Sequence, residues 1–314
     1  MIKKVILMTA AALSVTAASS SCGTTVSIAN YSSSDTALET TTESDEEIIT
    51  DDFTEMTTEV PEPVMYEVDT EVPEGYYPAG SCVLEGFETV MQEPELPTGC
   101  EITALTQTIN YLGYEIDKVE LADNYMPIDF NGVHSMSEAY IGDPKANNGF
   151  GCLAPAIVRT ADDYFESVNS PCYAVDLTES SLYDLFWQID QGRPVVTWAT
   201  VDLKYGEWLY QFNLPGGEEF WFNYYQHCVT VYGYDMDDGI VYVADPLKGN
   251  VTYDIDAFEN VYNYMKQNAV VLCGNSQTDA DFVPRPDKPE SDAIPRNQQL
   301  EAQDETEEEQ EYYD

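Results

Sequence analysis

Positive charge and imidazole are what this chain has least of. Its 314 residues include 12 Lys or Arg and two His, against 58 Asp or Glu, for a formal net charge of −46. A field of that sign argues against nucleic acid as a partner and against electrostatic binding to anionic membrane surfaces. It suits cationic substrates, and it equally serves solubility. With only His134 and His227 present, acid–base chemistry near neutral pH has few routes. There is no CxxC pair or His/Cys cluster to hold zinc, and Asp235–Gly239 lacks the full calcium-loop pattern, so neither a metal nor a cofactor is expected.

Charge and hydropathy divide the chain into four parts. Residues 1–22 read as an export signal, with Lys3 and Lys4 ahead of a short apolar core from Val5 to Leu13. Cys22 is a candidate lipidated cysteine of a surface lipoprotein. Ser19 stands where an apolar residue is usual before such a cysteine, and plain cleavage near Ala18 is the alternative. Residues 23–75 hold 15 Asp or Glu and no Lys or Arg, a composition too polar and self-repelling to fold, and are expected to be a disordered tether. Residues 76–275 carry the aliphatics and aromatics of one globular domain. Residues 276–314 are expected to be an acidic disordered tail. The protein is therefore expected to be secreted or held at the outer face of the cell membrane, touching the membrane only through a lipid anchor, and monomeric.

Of the seven cysteines, setting Cys22 and Cys100 aside leaves five with no evident disulfide framework. A Cys152–Cys172 bridge is one pairing that export allows; the rest read as small buried hydrophobes. The pattern within the domain changes along its length. Thr98 and Glu101 form a capping-box pattern ahead of Ile102, Leu105, Ile109 and Leu112 at helical spacing, with Gly113 as the stop. Further helices are expected at 118–125, 154–165, 181–190 and 256–265, with a loop over 127–151. Strands are expected at 195–200, 228–234, 240–244 and 269–273. Helices first and strands later favour an α+β fold over an alternating doubly wound sheet.

Three residues in that frame suit nucleophilic catalysis. Cys100 falls in the first turn of its helix, where unpaired amides and the macrodipole favour a thiolate of lowered pKa. A hairpin centred on Met236 pairs His227 with Asp245, Val229 with Val243 and Val231 with Val241, all on one face. A carboxylate beside the imidazole fixes its tautomer and stabilises the imidazolium. A slip of one residue would place His227 and Asp245 on opposite faces. His134, in a loop without a strand partner, competes for the role of base.

The segments Leu96–Leu105, Gly149–Cys152, Gly192–Val196, Gln226–Val229 and Asp245–Gly249 together resemble the peptidase C39-like family of the papain-like cysteine peptidase superfamily, over roughly residues 80–275. The resemblance implies a helical part carrying the cysteine followed by an antiparallel sheet carrying the histidine and acid. It implies Cys100 as nucleophile, His227 as general base and Asp245 as the orienting residue. Gln92 matches the oxyanion-hole glutamine, though it stands slightly farther from the cysteine than is usual. The expected activity is a cysteine hydrolase cleaving a peptide or isopeptide bond through a thioester, with a peptide or cell-wall-linked peptide as substrate. A non-catalytic binding module on the same scaffold, with Trp208, Trp221, Tyr224 and Tyr225 lining a cleft, is a second reading. An acyl transferase or cell-wall amidase is a third. Family members that process bacteriocins are fused to a membrane transporter, and nothing in this sequence suggests that role.

Overall fold

The structure is a computed structural model that describes residues 72–274 and 288–302. The export signal, Cys22 and nearly all of the tether lie outside the described residues.

The strands and helices of the described residues follow one another in an α+β order. Strand β1 (Ser81–Val83) leads to helices α1 (Cys100–Tyr111) and α2 (Lys118–Asn124), then to the short strands β2 (Ile128–Asp129) and β3 (Tyr140–Ile141). Next come α3 (Ala154–Ser167), β4 (Tyr173–Asp176), α4 (Leu182–Asp190) and β5 (Val195–Thr200). Then come β6 (Trp208–Asn213), β7 (Glu219–Asn223), β8 (Gln226–Asp235), β9 (Ile240–Asp245), β10 (Gly249–Asp254), α5 (Ile255–Tyr264) and β11 (Ala269–Cys273), and residues 296–302 are again helical. The helices match the expected segments to within two residues. Strands β1, β2, β3, β4, β6, β7 and β10 are additions, β2 and β3 inside the expected 127–151 loop, because they are short or lie at a sheet edge where alternation is weak.

One seven-stranded sheet, ordered β10–β9–β8–β5–β11–β4 with β1 also on β8, is antiparallel at every pairing. Helices cover both faces. Ile102, Leu105 and Ile109 of α1 and Phe165 of α3 pack with Val196, Trp198 and Val270. Leu185 and Phe186 of α4 and Phe258 of α5 pack with Val195, Val229 and Val271 on the other side. The period-2 alternation of β5 and β11 explains why neighbours in those strands divide between the two clusters.

The hairpin register differs from the expected one. Val231 pairs with Val243 and Thr230 with Ala244, two residues away from the pairing in which His227 stands directly opposite Asp245. Nearer the turn Gly233 pairs with Tyr242 and Asp235 with Ile240, so Tyr232 is an extra residue in β8. The turn therefore sets a register of the wrong parity, and the bulge at Tyr232 restores the right one. His227 and Asp245 become diagonal neighbours on one face rather than directly opposed.

The capping box also fails to form. The N-cap of α1 is Gly99, and no side chain caps the helix. Thr98 Oγ1 donates to the carbonyl of Ala146 (2.9 Å), and Glu101 turns into the core. A surface cap contributes only about 1 kcal/mol, and buried partners outcompete it. Gly113 does close α1, at φ +93° with its N–H on Asn110 O (3.0 Å). Cys152 is a free, buried thiol, so the Cys152–Cys172 bridge does not exist.

The acidic tail departs from expectation over residues 288–302, which return to the domain. Pro295 bridges to Pro127 and Ala293 is buried. Lys288 pairs with Asp163 (2.6 Å) and Glu166 (3.0 Å), Arg159 donates to Ser291 O (2.7 Å), and Arg296 pairs with Asp143. Composition averages away such matching: a few cations placed opposite acids anchor a segment whose overall charge is repulsive. His134 completes the clamp, with Nδ1 3.1 Å from Asp129 Oδ2 and Nε2 2.8 Å from Asp292 Oδ1. Burial disfavours its charged form, but the two carboxylates outweigh this and raise its pKa. A raised folded pKa means the clamp is complete below the unfolded histidine value of about 6.5 and is lost as pH rises through the folded value. Amide-exchange protection of residues 291–296 should accordingly fall as pH rises above about 6.5, and Asp292→Asn should flatten that dependence.

Candidate active site

Helix α1 and strand β8 meet at the end of the sheet where β8 begins. Thr230 Oγ1 donates to Ala104 O (3.1 Å), and Gln107 Nε2 donates to Thr230 Oγ1 (2.8 Å) and to Ala244 O (3.1 Å). These bonds tie α1 to both β8 and β9. They place the N-terminus of α1, with Cys100 as its first residue, beside the start of β8. Cys228, the residue after His227, packs in one cluster with Cys100, and its backbone amide favours the thiolate. The expected thiol thus lies beside the strand that carries the expected imidazole.

His227 Nε2 lies 2.7 Å from Asp245 Oδ1, with both side chains buried. Asp245 Oδ1 also accepts the N–H of Leu247 (2.8 Å), and Oδ2 faces Lys248 Nζ at 3.6 Å. Burial pushes the Asp245 carboxyl up, but the bonds from His227 and Leu247 and the nearby Lys248 charge bring it below its ordinary value. Lys248 bridges onward to Asp202 (2.7 Å), whose pKa falls to about 2 under the pull of Lys204 and Lys248. Asp245 is thus an ionised carboxylate holding Nε2, and Nδ1 is the ring nitrogen left for proton exchange.

Gln92 sits between the two halves of the site. Its backbone N–H donates to Pro246 O (2.9 Å), next to Asp245, and its Nε2 donates to Pro97 O (2.8 Å), three residues before Cys100. A second Nε2 hydrogen remains available. Lys118 Nζ on the Gln92 carbonyl (3.0 Å) steadies the turn. His134, by contrast, is engaged with Asp129 and Asp292 in the C-terminal clamp, which removes it as a competitor for the base.

The thiol is not in the state its helix position suggested. Burial pushes the Cys100 pKa well above the ordinary thiol value, and the charge of Glu101 pushes it further. The helix-end effect of under about 1 kcal/mol at an exposed site is too small to offset desolvation of a buried sulfur. Cys100 Sγ donates to Glu101 Oε2 (3.3 Å), and Glu101 Oε1 accepts the N–H of Cys152 (3.3 Å). Trp198 Nε1 donates to Cys152 O (2.9 Å) from the sheet side. Sequence reasoning missed Glu101 because its spacing from Thr98 mimics a capping box. The Gly149–Cys152 segment was the available signal. Gly151, at φ +104°, lets the chain pass so close to Glu101 that a Cβ there would lie 2.2 Å from Oε1.

Comparison with known proteins places this arrangement. The sequence model of the Peptidase_C39 like family matches residues 84–270. The uncharacterized protein YvpB of Bacillus subtilis (strain 168) is 29% identical over 187 residues, covering 58% of this chain and 72% of that protein. The crystal structure of a putative C39-like peptidase from Bacillus anthracis superposes with a TM-score of 0.55 at 26% identity, covering 62% of this chain and 98% of that one. Xylellain, a cysteine protease from Xylella fastidiosa, is more distant, with a TM-score of 0.36 and 15% identity over 62% of this chain and 85% of that one.

The glycine at 151 yields a direct test. Gly151→Ala combines a positive φ with a clash against Glu101, so it should destabilise the protein by more than the roughly 1–3 kcal/mol that backbone strain alone costs. Gly239→Ala, at φ +68° with open space around it, should show only the strain. Urea-denaturation midpoints of the two variants give the comparison.

Proposed function

Because the chain belongs to the Peptidase_C39 like family, we propose that it is a cysteine peptidase-like hydrolase in which Cys100, His227 and Asp245 act together. The observation that carries this reading is the buried 2.7 Å pair of His227 Nε2 and Asp245 Oδ1, one residue along the strand from Cys228, which packs with Cys100. Asp245 holds the imidazole by Nε2 and stabilises its protonated form. His227 Nδ1 takes the proton from Cys100 as the sulfur attacks the substrate carbonyl. The backbone N–H of Cys100 and the spare Nε2 hydrogen of Gln92 stabilise the oxyanion. The protonated imidazole then passes its proton to the leaving amine, and a water activated by His227 hydrolyses the thioester, restoring the thiol.

The substrate in this reading is a peptide, or a peptide linked to the cell wall, met outside the cell. The apolar segment of the first 22 residues and Cys22 support export and surface tethering, with the acidic stretch as spacer. The acidic domain surface agrees with a partner that is neither nucleic acid nor anionic lipid. The buried, protonated thiol is the one observation favouring a non-catalytic module on the same scaffold.

The roles separate in mutants assayed on a panel of peptides and crosslinked wall fragments. Cys100→Ala should abolish both turnover and thioester formation followed by intact mass; turnover that survives it would sink the proposal. Asp245→Asn should lower kcat by up to about 10⁴-fold. Gln92→Ala should lower it by about 10²–10³-fold, as loss of one oxyanion donor does elsewhere.

A further inference from the structure

We propose that Glu101 is a positioning residue for the nucleophile: its buried carboxyl group parks the Cys100 sulfur as a protonated thiol, and the sulfur must leave Glu101 before it can give its proton to His227. The inference rests on the reading of Cys100 as nucleophile and adds the control of that nucleophile's resting state.

The geometry supporting it is specific. Glu101 is 1% exposed, and both of its oxygens are engaged: Oε2 by the Cys100 thiol (3.3 Å) and Oε1 by the Cys152 amide (3.3 Å). The only hydrogen-bond acceptor of the thiol among the described residues is this carboxyl group. Two elements hold it there. The loop through Gly151 is pressed against Oε1 and has no room for a side chain, while Trp198 of β5 fixes the carbonyl of Cys152. A carboxyl group clamped so closely is a placed one, and an acid directly following the nucleophile would otherwise turn to solvent.

The groups facing Glu101 decide the electrostatic sense. From α1 comes the Cys100 thiol, from the loop the Cys152 thiol and amide, from β8 Gln226 and Cys228, and from β3 the Tyr140 phenol. None of its hydrogen-bond partners is a cation. Burial raises the pKa of the Glu101 carboxyl itself, and in its ionised form it opposes formation of a thiolate beside it, whereas the Cys228 amide favours one. Cys100 has a single side-chain torsion with three staggered wells, so one rotation exchanges the acceptor. Parking keeps the thiol un-ionised and poorly nucleophilic until a substrate displaces it.

Alkylation of Cys100 by iodoacetamide across pH 5–10, mapped by peptide mass, reads the thiol directly. Wild type should titrate above the ordinary thiol value of about 8.5. Glu101→Gln removes the charge and turns an N–H donor toward the sulfur. It should lower the midpoint by a unit or more, which makes labelling at pH 7 about 10-fold faster. An unchanged midpoint in a folded Glu101→Gln protein would overturn the proposal, leaving Glu101 as a prop for the Cys152 loop. A second measurement does not depend on that variant folding. With Cys100→Ala, the Glu101 carboxyl, followed by carbon-13 NMR, should titrate at higher pH than in wild type, because the thiol donor that favours its charged form is gone. A Glu101 titration indifferent to Cys100→Ala would equally overturn it. Turnover surviving Cys100→Ala is a different failure: it removes the nucleophile assignment while leaving both titrations as they are.

Discussion

Everything at the site depends on the parity of the β8–β9 pairing. The turn between the strands, with Asp235 opposite Ile240, would by itself put His227 and Asp245 on opposite faces of the sheet. The extra residue Tyr232 corrects this, and the imidazole and carboxylate meet diagonally at 2.7 Å. Tyr232 is itself packed, stacked on Phe87 at 5.2 Å, so the bulge is held by the core. A local irregularity in the ladder is thus what makes a buried hydrogen-bonded pair out of two residues 18 apart in sequence.

The helix supplies the other half under a different constraint. Buried hydroxyl and amide bonds from Thr230 and Gln107 dock α1 on β8, and they leave its first residue at the strand's end. Docking that close removes water from the sulfur. Desolvation then dominates the modest field of the helix end, and a carboxyl group enters the space beside the thiol. His227 and Asp245 are consequently paired with each other, while the Cys100 thiol is engaged by Glu101.

The C-terminal segment shows how such a site is braced from outside. Arg296 holds Asp143, and Asp143 and Ala146 belong to the loop whose carbonyls receive the Thr98 hydroxyl two residues before Cys100. A segment with too little apolar surface to fold alone gains order from ion pairs and hydrogen bonds along a surface already formed. Its acids and cations act position by position, which a net charge conceals.

Residue pattern alone supplied the order of helices and strands and the positions of α1, α3, α4, β5 and β11, and it singled out Cys100, His227 and Asp245 as candidates. Those follow from local spacing: apolar residues every three or four positions for Ile102 to Ile109, alternation for Val195 to Thr200, and two histidines to choose between. Local spacing also misled at Thr98 and Glu101, where a capping pattern concealed two inward-facing side chains. Only the tertiary structure decided the hairpin register, the protonation of Cys100, the engagement of His134 with the tail, and the place of Glu101. The reason is the same in each case. Burial and long-range partners set these properties, and their energies exceed the local preferences a sequence displays.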